Sequence, residues 1–144
     1  MDDSLKLKNQ VCFPVYALSR EIISRYRPLL DQLDMTYPQY LVMMVLWEDH
    51  PQTVNQIGAK LHLDSGTLTP LLKRLESKGL IVRKRKTCDE RVVEISLTQT
   101  GQALEIEAAK VPKQVLEAMQ VTPEELLQLK EIVLKILDRQ NKPH

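Results

Sequence analysis

The stretch from Thr53 to Leu97, TVNQIGAKLHLDSGTLTPLLKRLESKGLIVRKRKTCDERVVEISL, decides the fold. Thr53 is placed to cap a short helix over 54–61, with Ile57 and Leu61 inward. His62-Leu63-Asp64 then turns the chain into a second helix. There Leu68, Leu71, Leu72 and Leu75 recur at i, i+3, i+4 and i+7, the spacing of one buried face. The opposite face offers Ser65, Thr67, Thr69, Lys73, Arg74 and Ser77. Pro70 lacks an N–H, so a start near Thr67 would seat it in the first turn, whereas a start at Ser65 forfeits one backbone bond. The earlier start is preferred. Gly79 supplies a left-handed helix end. Residues 80–85 and 91–97 read as strands joined by a loop over 86–90. The order is helix, turn, helix, then a β-hairpin wing.

Charge is segregated along this stretch. From Lys73 to Arg91 eight bases face three acids, a net of +5, while the whole chain is only +1 and the remainder therefore carries −4. A polarised basic surface suits a polyanion. With 144 residues the chain is one domain's worth, and 43% hydrophobic with 27% charged content is ordinary for a globular protein. No apolar run approaches the length needed to span a bilayer, and Met1-Asp2-Asp3-Ser4 does not read as a signal peptide, so a cytoplasmic location is expected. Cys12 and Cys88 are then expected as free thiols. His50, His62 and His144 are scattered and no Cys/His spacing suits zinc, so neither a metal nor a cofactor is expected.

Around this stretch the rest of the chain reads as helices. The first is expected over 10–33, with Val11, Val15, Leu18 and Ile22 at helical spacing, Pro14 near its start and Pro28 kinking its far end. Thr36-Tyr37-Pro38-Gln39 is a second helix start, and the apolar run over 40–47 marks that helix as buried on most sides. Thr98 or Thr100 caps a fifth helix that Pro112 interrupts. Thr122-Pro123-Glu124-Glu125 starts a sixth. The sixth carries Leu126, Leu127, Leu129, Ile132, Val133, Ile136 and Leu137, too wide an apolar stripe for a helix alone on a surface. The fold expected is mainly α with a small β-hairpin wing: a winged helix-turn-helix of six helices, dimerising through its N- and C-terminal helices. Residues 1–144 form one domain, with about 36–98 as the winged helix and about 8–34 and 99–140 as dimerisation helices.

A helix in the DNA major groove meets base edges with a distinguishing hydrogen-bond pattern, most often through its first residues. Here those are Asp64, Ser65, Gly66, Thr67, Thr69 and Pro70, followed by Lys73 and Arg74, which suit phosphates or guanines. Arg83, Lys84, Arg85, Lys86, Asp89 and Arg91 make a wing that could reach the minor groove, with Asp89 orienting the Arg91 guanidinium. The competing readings are a solvated basic hairpin on some other helical domain and, separately, a winged-helix protein-interaction module. Cys12, alone, is most simply a small hydrophobe. By the positive end of a helix dipole, though, thiolate is favoured, the form that attacks a peroxide. Cys12, Tyr16, Ser19, Ile23 and Tyr26 share a helical face. At about 1.5 Å rise per residue, Tyr26 lies roughly 21 Å along the helix from Cys12, so only a second subunit's Tyr26 could donate to that sulfur. Ordinary packing is the competing reading for the tyrosines. A thiol peroxidase would need an activating charge beside the thiol, and the basic wing has no place in that chemistry, so an enzyme is not expected.

The blocks VCFPVYALSREI, RYRPLLDQL, TYPQYLVMMVLWE, LDSGTLTPLLKRLESKGLI and DERVVEISLT carry a resemblance over essentially the whole chain. It resembles the MarR family of dimeric winged-helix transcription regulators, and within it the one-cysteine organic-hydroperoxide sensors (OhrR type) and their staphylococcal redox relatives. The resemblance implies a homodimer that represses a gene from a pseudo-palindromic double-stranded operator. Cys12 would be the sensing thiol, with Tyr26 and Tyr37 of the opposite subunit bonded to it and Tyr16 nearby. Residues 64–73 would be the recognition helix, and Asp89 with Arg91 the wing-tip pair. Pro14 departs from the pattern, and no cysteine follows Cys88. Organic hydroperoxide and a low-molecular-weight thiol are therefore the implied modifiers of Cys12. The alternatives within the fold are a regulator controlled by a small apolar or phenolic ligand in the dimer crevice, and a global virulence or redox regulator.

Overall fold

Capping side chains mark most α-helix starts in the computed structural model, which describes residues 2–141. After two 3-10 turns comes α1 (Cys12–Asp31), then α2 (Tyr37–Glu48), β1 (Gln52–Thr53), α3 (Val54–Leu61), α4 (Ser65–Ser77), β2 (Ile81–Arg85) and β3 (Val93–Leu97). α5 (Gln99–Ala103), α6 (Glu105–Ala108), α7 (Val111–Met119) and α8 (Pro123–Gln140) follow. Reciprocal capping boxes start α2 with Thr36 and Gln39, α3 with Thr53 and Gln56, and α8 with Thr122 and Glu125. α4 does start at Ser65, because the Asp64 carboxylate accepts the N–H of Thr67 at 2.7 Å. Pro70 is carried inside the helix.

The chain divides into two compact units, residues 26–111 and residues 2–25 with 112–141. The first is the winged helix. Leu68, Leu72 and Leu75 of α4 are at most 1% exposed and meet the same core as Met43, Leu46, Ile57, Ile81 and Ile95. Each such leucine contributes about 1.5–3 kcal/mol by leaving water. Leu71 is half-buried. α4 ends with the bond pair of a Schellman motif, Leu80 N–H to the Leu75 carbonyl at 3.1 Å and Gly79 N–H to that of Glu76 at 2.9 Å, with Gly79 at φ 74°. Between α3 and α4, Leu63 N–H donates to the Gly58 carbonyl at 2.9 Å. Gly58 is needed there, since a Cβ would lie 2.6 Å from the Leu63 carbonyl oxygen.

The expected β2–β3 hairpin of the wing is present, and β1 extends it into a three-stranded antiparallel sheet of order β1-β3-β2. β1 pairs Gln52 with Ile95 and Thr53 with Glu94. Gln52 is 2% exposed, yet its amide is satisfied: Nε2 donates to the carbonyls of Val45 and Asp49, and Oε1 accepts Lys60 Nζ at 2.8 Å. The fifth helix is not one rod broken at Pro112. It is three pieces, α5, α6 and α7, and Pro112 sits as the second residue of α7, where its missing N–H costs nothing. The other five expected helices are present.

The second unit comprises the chain start, the first part of α1, most of α7, and α8. α8 buries none of its residues, and Leu127, Ile132 and Leu134 are each more than half exposed. No helix among the described residues is long and apolar enough to cross a membrane.

Candidate nucleic-acid interface and thiol site

The first turn of α4 presents Ser65, Gly66 and Thr67 to solvent, with Thr69 half-buried. Asp64 caps these residues, and the N–H of Thr67 holds its carboxyl below the ordinary carboxylate range. The Thr69 hydroxyl donates to the Ser65 carbonyl at 2.7 Å, so that proton is spent within the helix. Pro70, Lys73 and Arg74 are exposed further along. A cleft of about 460 Å³ joins this turn to the wing, lined by Ser65, Thr69, Arg91 and Val92 together with Thr53 and Asn55 of the α3 start. Asn55 was not foreseen as a member of this face. Its signal was local: an exposed amide in the first turn of the helix preceding α4.

Wing residues separate into those held by neighbours and those left outward. Arg83 donates through Nε and Nη2 to Glu76 Oε1 at 3.2 Å each, with its side chain 28% exposed. Those bonds lower the Glu76 carboxyl's pKa. Arg83 therefore braces the wing against α4 rather than reaching outward with the tip. Lys86 pairs with Glu94 at 3.7 Å, and Arg85 donates to the Glu90 carbonyl at 2.8 Å. Lys84 is exposed. Arg91 is turned outward: its side chain is 91% exposed, yet aimed by Asp89. Asp89 also accepts the backbone N–H of Arg91 at 3.1 Å.

Cys12 is the first residue of α1, and both Cys12 and Cys88 are exposed free thiols. One turn on, Tyr16 is exposed with the Arg20 guanidinium 5.2 Å from its ring centroid, a cation–π distance. α1 is one continuous helix over both Cys12 and Tyr26, the condition on which the same-chain exclusion rests. Tyr26 and Tyr37 meet with ring centroids 4.7 Å apart, and Tyr40 joins them at 5.8 and 6.3 Å. Trp47 stacks edge-on to Tyr40 at 6.4 Å. Burial, then the charge each phenolate would feel from Tyr37 and Tyr40, pushes Tyr26 up to about 12. Burial also raises Tyr37 and Tyr40. These phenols keep their protons at neutral pH and remain hydrogen-bond donors. In the sequence Tyr40 and Trp47 stand only as members of an apolar run. No cluster of three or more His, Cys, Asp or Glu that could hold a metal occurs among the described residues, and His144 lies outside them.

A two-helix reader backed by a third helix and flanked by a β-wing defines the winged helix-turn-helix class. The chain belongs to the MarR-type transcription regulators of this class, with residues 21–107 matching the SarA/Rot transcriptional-regulator family. It is 50% identical over 136 residues to the organic hydroperoxide resistance transcriptional regulator of Bacillus subtilis, covering 94% of this chain and 92% of that one. It is similar to a solved structure of reduced AbfR bound to DNA, with TM-score 0.80 and 36% identity over 97% of this chain and 98% of that one. A structure of disulfide-formed AbfR matches with TM-score 0.66 and 37% identity, covering 96% and 92% respectively. AbfR is a protein of Staphylococcus epidermidis. These relatives are regulators and not enzymes.

Proposed function

We propose that this chain is a homodimeric, DNA-binding repressor whose grip on its operator is released when organic hydroperoxide oxidises Cys12. The observation that carries the reading is an exposed free thiol at the first residue of α1 in a chain half identical to an organic hydroperoxide resistance regulator. The relative AbfR has a solved structure bound to DNA, which supports α4 and the wing as the reading elements. In this reading Ser65, Gly66, Thr67 and Thr69 face base edges, Lys73 and Arg74 face phosphates, and Lys84 and Arg91 flank the groove. The wholly unburied α8, with its row of large apolar side chains, supports a dimer that covers it. Residues 36–98 form the reader and the terminal helices the dimer contact, and the protein acts in the cytoplasm.

The chemistry is a two-electron exchange at sulfur. The Cys12 thiolate attacks the terminal oxygen of ROOH, the O–O bond breaks, sulfur becomes sulfenic acid, and the alkoxide leaves to take a proton as ROH. A low-molecular-weight thiol then condenses with the sulfenic acid, forming a mixed disulfide and water. Tyr26 and Tyr37 of the opposite subunit donate to the thiolate beforehand, with Tyr16 beside it. Close-packed helices cannot absorb the added group, so the contact shifts and the two α4 helices lose their spacing. Cys88, in the wing loop, is not needed as a partner. The test treats wild type and Cys12→Ser with cumene hydroperoxide and cysteine, then reads mass and DNA shift on the same samples. Wild type should gain the mass of one cysteine minus two hydrogens and release DNA, while Cys12→Ser binds and does neither. Release of Cys12→Ser at wild-type doses would overturn the reading.

A further inference from the structure

Lys78 ties the end of α4 to the start of α2. Its Nζ donates to Gln39 Oε1 at 3.2 Å and to the backbone carbonyl of Asp34, with the Asp34 carboxylate 3.7 Å away. Gln39 is 2% exposed, and the same Oε1 accepts the backbone N–H of Thr36 at 3.1 Å. The Gln39 N–H in turn donates to Thr36 Oγ1 at 3.4 Å, completing the capping box. Tyr37 is the first residue of α2, enclosed between the two arms of that box, with its ring against Tyr26. One buried amide oxygen thus joins the backbone carrying Tyr37 to the side chain that holds the last turn of α4. The Asp34 carboxylate is 94% exposed, so its ion pair adds little, and the junction rests on Gln39 and the Asp34 carbonyl. Asp34 is itself fixed in the left-handed region at φ 54°, closing α1 with the Met35 N–H on the Leu30 carbonyl at 3.1 Å.

We propose that Lys78 is the positioning residue that carries a displacement of the tyrosine pair into α4. This rests on the reading given under Proposed function. A hydrogen bond weakens steeply outside a narrow range of length and angle, so a shift of Thr36–Tyr37 by about an ångström either drags the Gln39 amide and Lys78 along or breaks their bond. In both cases the last turn of α4 changes its anchorage. Lys78 contributes three donors on a flexible stem, so it follows at once two acceptors, one on α2 and one in the turn after α1.

The experiment compares wild type, Lys78→Met and Lys78→Arg. Met keeps the stem and removes every donor, whereas Arg restores donors. The probe is a duplex selected from a random-sequence pool by the reduced wild-type protein. Its Kd is measured before and after cumene hydroperoxide with cysteine, and thermal unfolding is followed on each variant. Wild type should lose affinity on the order of 5–150-fold on oxidation, and the oxidised-to-reduced ratio for Lys78→Met should shrink at least about fivefold towards one, with Lys78→Arg close to wild type. Loss of a DNA-facing charge alone would weaken both states alike and leave the ratio untouched. A wild-type ratio in Lys78→Met overturns the proposal while leaving the redox reading intact. A wild type indifferent to oxidant overturns that reading and this proposal with it. If Lys78→Met does not unfold cooperatively, Lys78→Gln, which cannot reach both acceptors, makes the same comparison.

Discussion

Arg91 and Asp89 hold each other in a two-pronged pair, Nε to Oδ1 at 3.2 Å and Nη2 to Oδ2 at 3.4 Å. The arginine is aimed without being buried. An exposed pair of this kind does little for folding, and in the proposed DNA-binding role it would present a preorganised guanidinium. Arg91→Ala should weaken operator binding by about 1–3 kcal/mol and reduce the salt slope by about one counterion. Asp89→Asn should weaken binding less, because the charge remains but its aim is lost. Anisotropy titrations at several salt concentrations check both. Unchanged affinity in Arg91→Ala would remove the wing from the interface.

Asp64 links pH to the reading helix. Its folded pKa lies below the ordinary 3.8 because the Thr67 N–H bonds to the carboxylate. A depressed folded value means the cap's contribution is present above the unfolded pKa and is lost as pH falls through the folded one. Asp64→Asn should therefore keep the cap but lose this part of the acid sensitivity below about pH 3.8. Asp64→Ala should lower the melting temperature at neutral pH. Circular dichroism melts between pH 2 and 7 distinguish them.

The reader helix was legible because its signals are local. Three leucines share a face, Asp64 precedes the first turn, and Gly79 stands where φ must be positive. β1 was not legible, since Gln52-Thr53 has no alternation of its own and becomes a strand only by lying along β3. Arg83 misled for a related reason: sequence counts a charge but does not show that Glu76, on another element, occupies it. The Lys78 junction was hidden more deeply, because its acceptors lie 39 and 44 residues away. The fifth helical region reads as one helix interrupted at Pro112, its one obvious breaker, whereas the observed breaks fall at Leu104 and at residues 109–110.

Packing at the turn between α3 and α4 yields a stability prediction. Gly58 leaves no room for a Cβ beside the Leu63 carbonyl. Gly58→Ala should therefore cost about 1–3 kcal/mol, as overpacking does, because backbone rather than a flexible side chain must move. Leu72→Ala, at a site 1% exposed, should cost about 2–5 kcal/mol through lost burial and a cavity. Urea titrations give both. The difference between them appears in DNA binding: Gly58→Ala alters the α3–α4 angle and should weaken operator affinity in protein that is still fully folded, whereas folded Leu72→Ala should bind nearly as wild type.

The tyrosine cluster makes a claim that optical titration reads directly. Tyr26 is raised to about 12, with burial the larger cause, and Tyr37 and Tyr40 are raised from 10 by burial as well. For an acid whose folded pKa is raised, the stabilisation is fully present below the unfolded value and is lost as pH rises through the folded one. Absorbance at 295 nm should therefore show these phenols ionising above pH 10, with stability falling between about pH 10 and 12. Across pH 6–9 all three remain neutral donors. Removing a donor to the thiolate should then slow sulfenic-acid formation without introducing a new pH dependence from the phenols. A hydrogen bond to a charged group contributes about 1.5–3 kcal/mol, so Tyr26→Phe and Tyr37→Phe should each slow peroxide consumption by about tenfold or more. Tyr40→Phe, whose ring packs between Tyr26 and Trp47, should leave that rate near wild type. Stopped-flow traces showing the same rate in all three variants would return the tyrosines to a packing role.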